Sequence, residues 1–168
     1  MGNIIVAHFF CIIFGIIDMV IKMKFRHEYQ IQMKIEQPIE RVTSYYVNRD
    51  TMPLWEKGLT NIEDVKNRLF EEDSEGYLIF SLNGYQMNMK TTVVSNKLPA
   101  EITILYEVKG AWNQCINRFE SQGSNTIWTM DVIFDMETET YIEKDRFIAK
   151  TTEAMRIYKE FIEQYEQD

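Results

Sequence analysis

YQIQMKIEQPIERVTSYYVNRDTMPLWEKG, from Tyr29 to Gly58, carries three structural signals in thirty residues. Tyr29, Ile31, Met33 and Ile35 alternate with Gln30, Gln32 and Lys34, the period-two pattern of a strand with one buried face. Pro38 suits the first position of a helix, where a missing N–H has no intrahelical partner to lose. Ile39, Val42 and Tyr46 then recur at helical spacing, which predicts a short helix to about Val47. Asp50 or Thr51 can cap a second short helix containing Leu54 and Trp55, and Gly58 supplies its stop. The stretch therefore reads as a strand followed by two short helices.

Downstream, from Ile62 to Met136, short β-rich runs are separated by turn signals at Asp73 to Gly76, Asn83-Gly84, Ser95 to Pro99, Lys109-Gly110 and Gln122 to Asn125. About six further strands are expected. Alternation is sharpest at Ile102, Ile104, Tyr106 and Val108, and at Trp128, Met130, Val132 and Phe134. Thr103, Glu107, Asp131 and Asp135 then face the other way, so one sheet face is wet and the other covered. The cover is expected from the C-terminal segment, where Phe147, Thr151, Ala154, Tyr158, Phe161 and Tyr165 recur at spacings of three and four, flanked by Ile148, Met155 and Ile162. Thr140 to Glu143 has the form of a capping box, and about 25 residues from there would extend roughly 37 Å.

Upstream, Ile4 to Ile21 reads IIVAHFFCIIFGIIDMVI, eighteen mostly apolar residues that would span roughly 27 Å as a helix. Asp18 would cost up to about 3 kcal/mol at the centre of a membrane helix, and His8 is a second polar interruption. No basic residue precedes the run, which disfavours a cleaved leader, whereas Lys22, Lys24 and Arg26 follow it. Three readings fit: a membrane anchor with the following domain on the cytoplasmic side, an upstream extension before a start at Met23, or a helix packed on the domain. Residues 1–22 are accordingly set apart from a single domain over 25–166. Val6 stands where the myristoylation pattern wants Ser or Thr.

Composition narrows the function classes. The 168 residues are 45% hydrophobic and 26% charged, enough for one buried core. With 26 acidic against 18 basic residues the net charge is -8, which argues against broad attachment to nucleic acid or anionic membrane. Cys11 and Cys115 form no CxxC pair, and with His8 and His27 they give no metal-ligand spacing, so neither metal nor cofactor is expected. No GxSxG elbow, phosphate loop or GxGxxG is present.

Strand, two short helices, a run of antiparallel strands and one long terminal helix is the order of the START-related helix-grip superfamily, or SRPBCC, which includes polyketide cyclases and pollen-allergen-like lipid binders. The chain resembles that superfamily over about residues 25–166. Ile35 to Val42 is similar to its strand-to-helix junction, and Met52 to Gly58 to its recurrent Pro-x-Trp stretch. The resemblance implies an α+β helix-grip fold: a curved antiparallel sheet of about seven strands around a long C-terminal helix, with a ligand cavity in the gap between them. Neither motif is catalytic, and one fold hosts unrelated activities.

The residues expected to line that cavity are Trp55, Tyr85, Met87, Met89, Ile104, Tyr106, Arg118, Trp128, Met130, Phe147 and Met155. Thioethers among the ten Met residues tolerate varied ligand shapes, and they equally fill an ordinary core. Trp55 either closes the cavity mouth or pins its helix to the sheet. A cyclase-like enzyme needs an acid-base group inside, for which Tyr85, Tyr106, Glu107, Arg118 and Asp131 are the polar candidates. Glu107 and Asp131 alternate away from the apolar faces, and Arg118 meets either a ligand carboxylate or Glu120. The leading expectation is binding of a hydrophobic small molecule or lipid. The alternatives are a cyclase or dehydratase with a buried acid-base group, and a protein-interaction module with an exposed apolar patch over a filled interior.

Overall fold

A computed structural model describes residues 25–64, 68–82, 84–137 and 143–166. The apolar run from Ile4 to Ile21 and most of the Thr140–Glu143 capping box lie outside them. Among the described residues no helix is long and apolar enough to cross a membrane.

The chain order is β1 (Phe25–Ile35), α1 (Ile39–Tyr46), α2 (Met52–Trp55), β2 (Leu59–Asp64), β3 (Glu75–Leu82), β4 (Tyr85–Lys97), β5 (Glu101–Val108), β6 (Ala111–Gln122), β7 (Asn125–Met136) and α3 (Lys144–Gln164). The seven strands form one antiparallel sheet in the order β1-β7-β6-β5-β4-β3-β2. Every neighbouring pair from β2 to β7 is consecutive in sequence, and from β3 onward only two or three residues separate one strand from the next. The connection from β1 to β2 is different: it carries the chain from one sheet edge to the other. α1 and α2 lie on that crossing, and both contact α3.

The first junction is one residue tighter than the spacing predicts. Pro38 is the cap, in extended conformation, and helix α1 begins at Ile39. Its carbonyl accepts the first helical bond, from the Val42 amide at 3.0 Å. At α2, Thr51 occupies the cap position without a side-chain cap bond. Asn48 does that work, its Oδ1 accepting from the amides of Asp50 at 2.9 Å and Thr51 at 3.2 Å, a local side-chain turn that competes with helix extension. Gly58 follows with φ of 85°, a left-handed conformation that glycine adopts without steric cost.

β1 keeps the expected alternation, with Ile35 fully buried and Gln30, Gln32 and Lys34 exposed. Two turn signals fall inside strands. Ser95 to Lys97 belong to β4, which bulges at Val94, and Gly76 belongs to β3. There a Cβ would lie 2.7 Å from the Glu63 carbonyl oxygen, so glycine permits the close approach of β2.

Helix α3 has 21 residues, an axial length of about 32 Å. Its buried stripe is Met155, Tyr158 and Ile162. The predicted stripe is thus rotated slightly: Tyr158 is common to both, while Ala154 is exposed. Tyr158 seats the helix. Its ring packs edge-on against Trp55 at 4.7 Å, Tyr46 at 5.5 Å and Trp128 at 5.6 Å between centroids. Edge-to-face aromatic contacts of this kind add roughly 0.5–1.5 kcal/mol each beyond area burial. Beneath them Trp128 Nε1 donates to the buried Asn117 Oδ1 at 3.0 Å. At the other end of the helix the Tyr29 and Thr151 hydroxyls lie 2.9 Å apart, tying α3 to β1.

Candidate functional site

The aromatic cluster fills only one end of the space between sheet and helix. Toward the β5–β6 hairpin the sheet and α3 leave a cavity of about 340 Å³, within the ~300–1,000 Å³ range of small-molecule sites. Five elements build most of its wall. α2 supplies Met52, Trp55 and the adjoining Glu56; β5 supplies Ile104 and Tyr106; β6 and β7 supply Cys115, Trp128, Met130 and Phe134; α3 supplies Lys150, Ala154 and Met155.

A further contribution comes from the segment before β3. Phe70 lines the cavity with φ of 89°, an uncommon conformation for a bulky side chain. Its surroundings hold it there. The Phe70 carbonyl accepts from Asn96 Nδ2 at 2.6 Å, and the preceding Leu69 amide donates to the buried Asp64 carboxylate. Arg49 Nη1 pairs with that same Asp64 oxygen at 2.8 Å. Strained backbone held by several partners is a recurring feature of ligand-binding walls.

Most of the wall is apolar, so its few polar groups dominate the chemistry. Glu56 follows the last residue of α2, and among the described residues its carboxyl makes no hydrogen bond or ion pair. Burial pushes that carboxyl up to about 7, because the apolar surroundings penalise its charged form. The Tyr106 hydroxyl is likewise without a protein partner among the described residues. Burial, then the nearby Cys115 and Glu56, hold it well above the ordinary phenol range. Tyr46 is raised for the same leading reason, with Tyr106, Cys115, Glu56 and Tyr158 adding to it. The Cys115 thiol is pushed up to about 12 by burial, which makes it a poor nucleophile. Trp55 Nε1 is buried with no partner. Lys150 lies at the rim, exposed on α3.

Of the residues singled out in the sequence, Trp55, Met89, Ile104, Tyr106, Trp128, Met130 and Met155 line this cavity. Trp55 both lines it and stacks on Tyr46 at 5.9 Å, so packing and lining are one position's work. Met87 shares the face of Met89 but packs into the core without reaching the cavity. Three placements differ more sharply. Tyr85 has the parity of Met87 and Met89, yet it is the first residue of β4 beside the Gly84 turn and stands 80% exposed. Phe147 is not part of the wall; it packs at 4.7 Å against Phe134, which is, and at 5.1 Å against His27.

Arg118 is on the outer face, because Cys115, Asn117 and Phe119 take the inward parity of β6. It bonds to Glu101 at 2.9 Å and to Asp131, from the two flanking strands, rather than to Glu120 or a ligand. Asp131 is correspondingly an outer-face carboxylate. Burial raises it, but hydrogen bonds from Arg118 and Gln30 outweigh that and hold it below the usual range. Glu107 is also outside the cavity, 3.9 Å from Lys90 Nζ.

The cavity carboxyl that sequence reasoning passed over is Glu56. A signal was present: Met52 and Glu56 are four apart, so they share a face as the helix ends. In a four-residue helix that single spacing is weak.

No family model matches the sequence, and no curated protein does. Solved structures do resemble the fold. Ara h 8.0201 superposes with a TM-score of 0.68 at 8% identity, covering 82% of this chain and 98% of that one. A protein of unknown function from Staphylococcus aureus gives 0.68 at 11% identity, over 84% and 96% of the two chains. A START superfamily protein from Mycobacterium smegmatis gives 0.64 at 15% identity, over 82% and 98%. At such identities the likeness speaks for the fold alone. Seven curved antiparallel strands gripping a C-terminal helix, with two short helices after the first strand, give this chain a helix-grip fold like that of these solved structures.

Proposed function

We propose that the chain binds a hydrophobic small molecule or lipid in the cavity between the sheet and α3. The observation that carries this is the 340 Å³ space itself, left open inside a sheet whose neighbouring core is tightly packed. Unfilled apolar volume destabilises by lost transfer and packing energy, which a bound apolar guest would recover. The helix-grip fold is commonly a carrier of hydrophobic ligands, which agrees with the apolar wall.

Native mass spectrometry of the purified chain tests it. The expected spectrum shows a mass increment that disappears on denaturation and is recovered as an apolar molecule in organic extract. A bare chain mass, together with no uptake of a fluorescent apolar probe, would remove the proposal.

A second reading is favoured by Glu56. A carboxyl held near neutrality by apolar surroundings is what a cyclase or dehydratase needs as an acid-base group. Conversion of the extracted ligand by the wild-type chain, abolished in Glu56→Gln, would distinguish this reading from binding alone. A protein-interaction module with a filled interior is not favoured by the open cavity.

A further inference from the structure

We infer that the cavity selects apolar molecules carrying one amine, seated with the nitrogen against the Glu56 carboxyl. The inference rests on the proposed cavity function and names the class of ligand within it.

The first ground is the imbalance of polar groups in the wall. Glu56 is the one carboxyl among the described cavity-lining residues, and no described cation lies within ion-pair distance of it. Lys150 also lines the cavity, but it stands at the rim on an exposed turn of α3. A neutral apolar guest would seal Glu56 away from water with its hydrogen-bonding capacity unused, and leaving such a group unsatisfied is costly. An ammonium group supplies both charge and donors.

The second ground is the ring environment. Tyr46 and Trp55 line the cavity together with Glu56, so an ammonium seated there lies among aromatic rings, which attract cations through their quadrupoles. The Tyr106 hydroxyl, without a described protein partner, offers an acceptor for a second N–H. A carboxylate guest meets the opposite condition, because the same carboxyl repels it.

The titratable and charged groups facing Glu56 are Tyr46 from α1, Tyr106 from β5, Cys115 from β6 and Lys150 from α3, with Lys57 next to it in sequence. The tyrosines and the cysteine stay protonated in the neutral range, since burial raises all three. Proton exchange near neutrality on binding therefore reports on Glu56. A guest ammonium favours the ionised carboxyl, so binding below neutrality expels its proton.

Isothermal titration of the full chain with naphthylethylamine, naphthylethanol and naphthylacetate tests the inference. At a pH of about 7.5 the amine is expected to bind at least tenfold more tightly than the alcohol, with the acetate weakest. Glu56→Gln lowers amine affinity to that of the alcohol, and a cooperative thermal melt shows that the variant is folded. In two buffers of different ionisation enthalpy at a pH of about 6, amine binding releases close to one proton from wild type and none beyond the alcohol's from the variant. Equal affinities for amine and alcohol in wild type, or a preference that survives Glu56→Gln, overturn the amine class while leaving the cavity function standing. If none of the three probes binds, the cavity function falls with it.

Discussion

The Tyr158 hydroxyl donates a hydrogen bond to the Val42 backbone carbonyl, so the long helix is tied to the first short one at the point where the aromatic cluster is densest. That carbonyl belongs to a helical turn, and removing the hydroxyl leaves no carbonyl stranded. Tyr158→Phe is therefore expected to cost only about 1 kcal/mol. Tyr158→Ala removes a fully buried ring and costs roughly 3–5 kcal/mol. Urea unfolding checks both: the midpoint falls by these amounts while the slope stays constant. Equal losses in the two variants would show that the ring contributes little.

Glu56 gives stability an unusual pH dependence. Its folded carboxyl titrates at about 7 and its unfolded one near the ordinary carboxyl value of 4.5, so between those values the folded state binds the extra proton. The Glu56 contribution is most favourable below about 4.5 and is lost as pH rises through the folded value. The cost above neutrality is on the order of 3 kcal/mol. Glu56→Gln is expected to be more stable than wild type at a pH of about 8 and to lose that advantage toward a pH of about 4.5. Thermal or urea unfolding of the pair across that range isolates the single group. An unchanged difference between the two proteins contradicts the buried-carboxyl assignment.

Periodicity made the architecture legible, because alternation in β1, β5 and β7 and the spacings of α3 each report one residue's relation to its near neighbours. The cavity is a relation among distant elements, and periodicity states only which face a residue takes. Tyr85 shows the limit: its parity is that of Met89, but it sits at the end of β4, outside the enclosed region. Arg118 shows another. Trp112, Ile116 and Arg118 alternate as an apolar face might, whereas the inward positions Cys115, Asn117 and Phe119 include a polar amide whose role is set by Trp128 across the sheet. Glu56 was obscured for the opposite reason, since a carboxylate between a four-residue helix and Lys57 looks like a surface residue until β5 and α3 are placed around it.

Arg118 separates surface electrostatics from ligand recognition. It is 39% exposed and sits between Glu101 and Asp131, so solvent and salt screen the pair energies. Arg118→Ala is expected to cost no more than about 1 kcal/mol, less in high salt, and to leave naphthylethanol affinity unchanged. A large loss of affinity in that variant would place the binding site on the outer face of the sheet.

Access to the cavity can be tested from α3. Ala154 is exposed yet lines the cavity, while Ala149 on the same helix is exposed and does not. A Trp at either position costs a few tenths of a kcal/mol in helix propensity, and a stability change below about 1 kcal/mol shifts Tm by only about 2–4 °C in a chain of this size. Only Ala154→Trp places an indole across the opening between the helix and the β5–β6 hairpin. Naphthylethanol affinity is therefore expected to fall at least tenfold in Ala154→Trp and to stay at the wild-type value in Ala149→Trp. Thermal melts of both variants confirm that the fold is intact. Because the substitution and the helix are the same in both, a loss confined to Ala154→Trp comes from occlusion, and equal binding by the two would mean that the ligand does not enter between sheet and helix.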